Sequence, residues 1–161
     1  MFNRELKPPS KPMPPFCLFP VGSWVAITAV MLMIFCVTCV SVIVIYYLGL
    51  NTSHKYFAHV LLAIGAILAL ILSVLTGLVS RGYVYCNTLL LKFNRLCLVI
   101  LFSGNVIAII SKDFGVAAIA ATGFICGLIV HQIYRSKKYQ KWVEHYEVIW
   151  AHHRWNNRKV K

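Results

Sequence analysis

Charge is the first thing missing from this sequence. Asp, Glu, Lys and Arg make up 12% of its 161 residues, about half the share a soluble domain carries. Apolar side chains make up 60%. A water-soluble fold of this length still exposes roughly 30% of its unfolded surface and cannot hide so many. A soluble enzyme is excluded, and so is intrinsic disorder, which needs low hydrophobicity. Acid is scarcest of all: four Asp/Glu stand against sixteen Lys/Arg, for a formal net charge of +12. Only Glu144 and Glu147 lie close together, and on a helix both face solvent. Proline is absent beyond Pro20. The Lys/Pro segment before it favours extended, solvated polyproline II and forms no core.

Reactive groupings are missing as well. There is no Ser/His/Asp set, no H-E-x-x-H and no phosphate loop. The uncharged runs lack the ionisable residues that proton relays, ion-coupled carriers and voltage sensors use. Catalysis is not expected, and neither is a cofactor or a metal. His59 and His131 would stand at opposite ends of their spans, about a membrane thickness apart, so they cannot share a haem. Cys36 and Cys39 have helical spacing with no further soft ligand nearby in the chain, which reads as two small apolar side chains.

What is present is a set of long uncharged runs: 12–54, 56–80, 96–111 and 114–134. Crossing about 30 Å of hydrocarbon takes roughly 20 apolar residues in a helix. Four spans follow, at about 24–48, 56–80, 90–110 and 114–134. The third is the weakest, because its strictly apolar part, 96–110, covers only about 22 Å. It spans if Lys92 and Arg95 snorkel to the interface; the rival is a re-entrant segment. Aromatic residues stand where interfacial anchors belong: Trp24, Tyr46, Tyr47, Tyr56, Phe57, Tyr83, Tyr85, Phe114 and Tyr134. The expected fold is an all-α integral membrane protein, an antiparallel bundle of four transmembrane helices plus a C-terminal amphipathic helix. Its parts are a Pro/Lys-rich segment at 1–22, a transmembrane domain at 23–134 and a basic aromatic tail at 135–161.

Basic residues fix the expected orientation. The N-terminal segment, the 81–95 connection and the tail hold fourteen of the sixteen Lys/Arg, leaving only Lys55 and Lys112 for the opposite side. Both termini are therefore expected in the cytosol, and the short outer loops suit a bacterial inner membrane. The first apolar stretch is too long for a cleaved signal peptide. Cys17, Cys86 and Cys97 fall on or near the reducing side, so no disulfide framework is implied. Asn51-Thr52-Ser53 matches a glycosylation acceptor, but it hugs the membrane and reads as chance.

Three features point to association. Small residues recur every fourth position at Gly65, Ala69, Ser73 and Gly77, and again at Gly115, Gly123 and Gly127 beside Ala117 and Ala121. Such stripes let helix backbones approach closely in lipid, within one bundle or toward a partner. Asn105, in mid-span, should point inward and bond a neighbouring helix. In the tail, Tyr139, Trp142, Val143, Tyr146, Ile149, Trp150 and His153 share one helical face, with Lys137, Lys138 and Lys141 elsewhere on the same helix. An aromatic-faced basic helix of this kind is expected to lie on an anionic membrane surface, with docking to a partner protein as the alternative. The net charge is accounted for by the bilayer, so nucleic acid is not an expected partner.

In size and layout, though in no motif, the chain resembles small exclusion and immunity factors of phages, plasmids and colicin operons, which act on an incoming apparatus at the inner membrane. The resemblance implies a non-catalytic protein that associates with another integral membrane protein or with itself. Two alternatives stand beside it. One is an oligomeric channel or transport accessory subunit lined by Asn105, Thr28, Thr38, Thr76 and Thr122; the other is a membrane anchor for an enzyme complex.

Overall fold

The computed structural model describes residues 11–14, 20–48 and 54–159, except for the side chains at 54–57, 158 and 159. The rest of the Pro-rich segment, Cys17, the Asn51-Thr52-Ser53 triplet and the side chains of Tyr56 and Phe57 lie outside it. Five helices make up the described chain: α1 (Ser23–Tyr47), α2 (His54–Ser80), α3 (Val84–Ile110), α4 (Phe114–Arg135) and α5 (Lys137–Lys159). The first four are long and apolar enough to cross a membrane, which marks an integral membrane protein. They run up and down in the ring order α1, α2, α3, α4, with α3–α4 and α1–α4 the most extensive pairings. Among the described residues α2 does not touch α4, whereas α1 meets α3 across the centre. The core is thus a trio of α1, α3 and α4, with α2 laid on its side.

The third span needs a correction. Its helix begins at Val84, not near residue 90, and is unbroken for 27 residues, about 40 Å. That exceeds the hydrocarbon thickness by about 10 Å, and no re-entrant break occurs. Lys92 and Arg95 are exposed on this helix and not in a loop; the connection from α2 is only 81–83. The inward positions explain why the helix runs through them. Asn87, Leu90, Asn94, Cys97, Leu101, Gly104 and Ala108 are all buried, and their alternating spacings of three and four keep one seam facing the partner helices. α1 repeats the pattern with Ala26, Ala29, Met33, Cys36, Val40 and Ile43.

Two ends can be distinguished. At the loop end, Asp113 Oδ1 caps α4 by accepting from the Val116 N–H at 3.2 Å. Its other oxygen accepts from the Tyr46 hydroxyl at 2.5 Å, and the Tyr47 hydroxyl donates to the Gly104 carbonyl at 3.1 Å. The last turn of α1 is thereby tied to α3 and to the α3–α4 turn. At the other, basic end, α5 lies across the bundle and touches all four membrane helices. Two glycines permit this. Gly22 has φ 102°, and a Cβ there would lie 2.3 Å from the Lys138 carbonyl oxygen. Gly82 has φ 78°, and its Cβ would lie 2.9 Å from Trp150 Cβ. Any other residue at either place would be strained in its backbone and would push α5 away.

Candidate interaction faces

The two stripes of small residues have opposite fates. Gly123 and Gly127 are buried against α1 and α3. A Cβ on Gly123 would fall 2.6 Å from Cys39 Cβ, and one on Gly127 would fall 2.8 Å from Leu98 Cδ2 and 3.3 Å from Cys36 Sγ. Gly115, by contrast, is exposed at the start of α4. Asn105 adds to the α3–α4 seam, its Nδ2 donating to the Ala117 carbonyl at 2.9 Å. Those residues are spent inside the bundle.

The α2 stripe begins inside and ends outside. Gly65 is half-buried, with Ser41 Oγ 4.0 Å from its Cβ position; Ala69 is half-buried; Ser73 and Gly77 are exposed; and nothing lies within 4 Å of a Cβ on Gly77. The cause is geometric. A step of four residues advances about 400°, so each step turns the stripe by about 40° around the helix. Leu68, Leu72, Leu75 and Val79, spaced four, three and four, hold the inward face instead. The result is an uncovered face on α2 in which Ser73 and Gly77 are set among Leu70 and Val74, which are 65% and 52% exposed.

The tail helix does not present its aromatic residues to lipid as expected. Tyr139 and Trp142 are 3% and 8% exposed and belong to the core, with Tyr146 packed against it. Rings of Tyr134 and Tyr139 meet at 5.0 Å, and those of Trp142 and Tyr146 at 5.1 Å. Trp150 Nε1 donates to the Ser80 carbonyl at 2.9 Å, and Gln140 Nε2 donates to the Tyr134 carbonyl at 2.7 Å. Arg154 lies 5.6 Å from the Tyr83 ring centre. Burial pushes the Tyr139 phenol above its ordinary range, so it stays neutral. Lys137, Lys138 and Lys141 remain exposed. Lys11 Nζ donates to Glu144 Oε1, tying the N-terminal segment to α5 and holding the Glu144 carboxyl below the usual range, with Lys141 adding to the effect.

Sequence reasoning missed a buried polar layer near the basic end. Asn94 is fully buried and donates from Nδ2 to the Gly127 carbonyl at 3.2 Å, while Asn87 is 7% exposed. A span starting near residue 90 leaves Asn87 outside it and sets Asn94 between the snorkelling Lys92 and Arg95; the seven-residue interval from Asn87 to Asn94 and on to Leu101 is the signal that both face inward. The isolation assigned to Cys36 and Cys39 is also corrected, because the fold brings the Cys97 thiol of α3 to the Cys36 thiol. Among the described residues no group of three or more His, Cys, Asp or Glu is placed to hold a metal ion. His59 is exposed near the start of α2 and His131 is half-buried near the end of α4, at opposite ends of the bundle.

Nor does the fold gather the five residues suggested for a water path. Thr28, Thr38 and Thr122 are exposed, and each donates to the carbonyl four residues back, at 2.9, 3.0 and 2.7 Å. Asn105 is engaged with α4, and Thr76 lies between α1 and α2 near the basic end. What the geometry offers is surface: the open small-residue face of α2 around Ser73 and Gly77, and the basic crossbar of α5. Set beside known proteins, the chain matches no family model, no curated protein and no solved structure.

Proposed function

We propose that this protein is a non-catalytic, multi-pass protein of a bacterial inner membrane that acts by helix–helix association with another integral membrane protein, in the manner of exclusion and immunity factors. The observation that carries the reading is the outer face of α2. It places Ser73 and Gly77 in the open, where a second helix can approach closely, while the comparable stripe on α4 is used up internally. In this reading the basic end faces the cytosol, in keeping with the fourteen of sixteen Lys/Arg that the sequence puts in the N-terminal segment, the 81–95 stretch and the tail. Lys137, Lys138 and Lys141 then lie against anionic head groups. A second copy of the chain is the alternative partner for α2.

The test is crosslinking in native membranes followed by mass spectrometry, comparing the natural chain with Ser73→Leu and Gly77→Leu. Loss of a crosslinked membrane protein, with the variants still folded and inserted, is the expected result. An unchanged set of crosslinks and an unchanged phenotype would reject the reading. The enzyme-anchor and channel alternatives predict bound chromophore in the purified protein or solute flux in liposomes containing it alone.

A further inference from the structure

Contacts along the α3–α4 seam fix its register. Asn105 donates to the Ala117 carbonyl at 2.9 Å, the rings of Phe102 and Phe124 meet at 5.9 Å, and Leu98 packs against Gly127. One turn nearer the basic end, Arg95 on α3 therefore stands across from His131 on α4. Arg135 follows one further turn along α4, at its end. Arg95 and Arg135 are the charged groups that act on the His131 ring. Both are exposed, whereas His131 is half-buried, with Nδ1 shielded and Nε2 left as the ring nitrogen open to a ligand. No carboxylate answers these cations. α3 and α4 contain no Asp or Glu. Asp113 caps the far end of α4, Glu144 is engaged with Lys11, and Glu147 lies beside Gly82. Among the described residues neither guanidinium has a hydrogen bond or an ion pair. Toward the middle of the bundle the same seam is apolar. Leu98 and Phe124 are half-buried there, and Phe102 and Leu128 are 58% and 44% exposed.

We propose that Arg95, His131 and Arg135 bind the phosphate of an anionic phospholipid whose acyl chain lies along Leu98 and Phe102. Depth supplies the first argument. α4 has 22 residues, about 33 Å, close to the hydrocarbon thickness. His131 and the Arg95 backbone thus stand at least one turn inside the basic end, where an unpaired cation is costly. Two guanidiniums supply the second, because their planar forks match phosphate oxygens with charge-assisted hydrogen bonds. Basic groups gathered between membrane helices at one surface are the kind of site that takes anionic head groups. A zwitterionic head brings its own ammonium to cations already uncompensated, which selects a lipid of net negative charge. The apolar seam beyond them favours a ligand with hydrocarbon attached over free phosphate. An acidic residue on a partner helix would first have to be buried in hydrocarbon, whereas a lipid phosphate already stands at that interface. The site lies on α3 and α4 and does not depend on the association proposed for α2.

The experiment is native mass spectrometry of the full chain in detergent, with phosphatidylglycerol or phosphatidylcholine added at equal concentration. Detergent removes the bilayer surface, so adsorption of α5 to bulk head groups does not contribute. The expected result is retention of phosphatidylglycerol in preference to phosphatidylcholine. That preference falls about fivefold in Arg95→Gln or in Arg135→Gln, and on the order of 25-fold when the two are combined. Lys141→Gln, on the α5 surface, lowers it less than either. Equal retention of the two lipids, or a preference that survives the combined substitution, overturns the proposal. So does a loss in Lys141→Gln as large as that in Arg95→Gln, which would make the effect one of general charge. Displacement of the lipid by an equal concentration of inorganic phosphate would give the site to a free anion instead. Should Arg95→Gln fail to insert, Arg135→Gln decides. Failure of the lipid test leaves the Ser73→Leu and Gly77→Leu crosslinking results standing, and the converse also holds.

Discussion

Helices α2 and α4 carry the same sequence device, small residues four apart, and use it for different ends. On α4, Gly123 and Gly127 bring the backbone onto Cys39, Cys36 and Leu98, and Asn105 of α3 locks the neighbouring seam. On α2 the stripe drifts around the helix until Gly77 faces nothing. A small-residue stripe in a membrane helix therefore states only that close approach is possible. Which helix takes up the offer depends on how the stripe's rotation of about 40° per step falls against the inward face set by the large side chains.

The sharpest way to break this contrast is Gly123→Leu. The added side chain meets Cys39 and Leu101 in a packed seam, so destabilisation of about 3 kcal/mol is expected, read as loss of the monodisperse folded protein in detergent. Gly77→Leu should leave the same measurement within about 0.5 kcal/mol of the natural chain, and a large loss there would erase the distinction. Between them stands Asn105→Leu. It removes one interhelical hydrogen bond and should cost about 1 kcal/mol in thermal or denaturant unfolding in detergent, without changing oligomeric state.

The smallest effect concerns the cap at the start of α4. The Tyr46 hydroxyl and the Val116 N–H hold the Asp113 carboxyl below its ordinary range. A group depressed in the folded state contributes stability that is complete above its unfolded pKa, about 4, and that is lost as pH falls through the folded value. Melting in detergent should show a slight loss below about pH 4 that is absent in Asp113→Asn. An Asp113→Asn chain with the same acid slope would remove this residue as the cause.

Much of the architecture was legible in one dimension. The uncharged runs located four membrane helices, because an unpaired charge in hydrocarbon is costly. The third span starts at Val84 and not near residue 90, because the helix continues for two turns before Lys92 and Arg95, whose long side chains carry their charge outward. A start near residue 90 leaves Asn87 outside the span. For the tail helix, the face was read correctly but its counterpart was not. Tyr139, Trp142, Tyr146 and Trp150 share a side, and nothing in their spacing distinguishes a lipid surface from the end of the chain's own bundle.

Composition and periodicity alone decided that this chain is apolar, helical and basic at one end, because burying charge in lipid and leaving backbone groups unpaired there are both too costly. Tertiary structure alone decided which stripe is consumed, where Cys97 and Asn94 lie, and that α5 closes the bundle. Those outcomes depend on which helix stands beside which. Helix order in space is settled by packing of large side chains contributed from distant parts of the chain, and no local spacing records it.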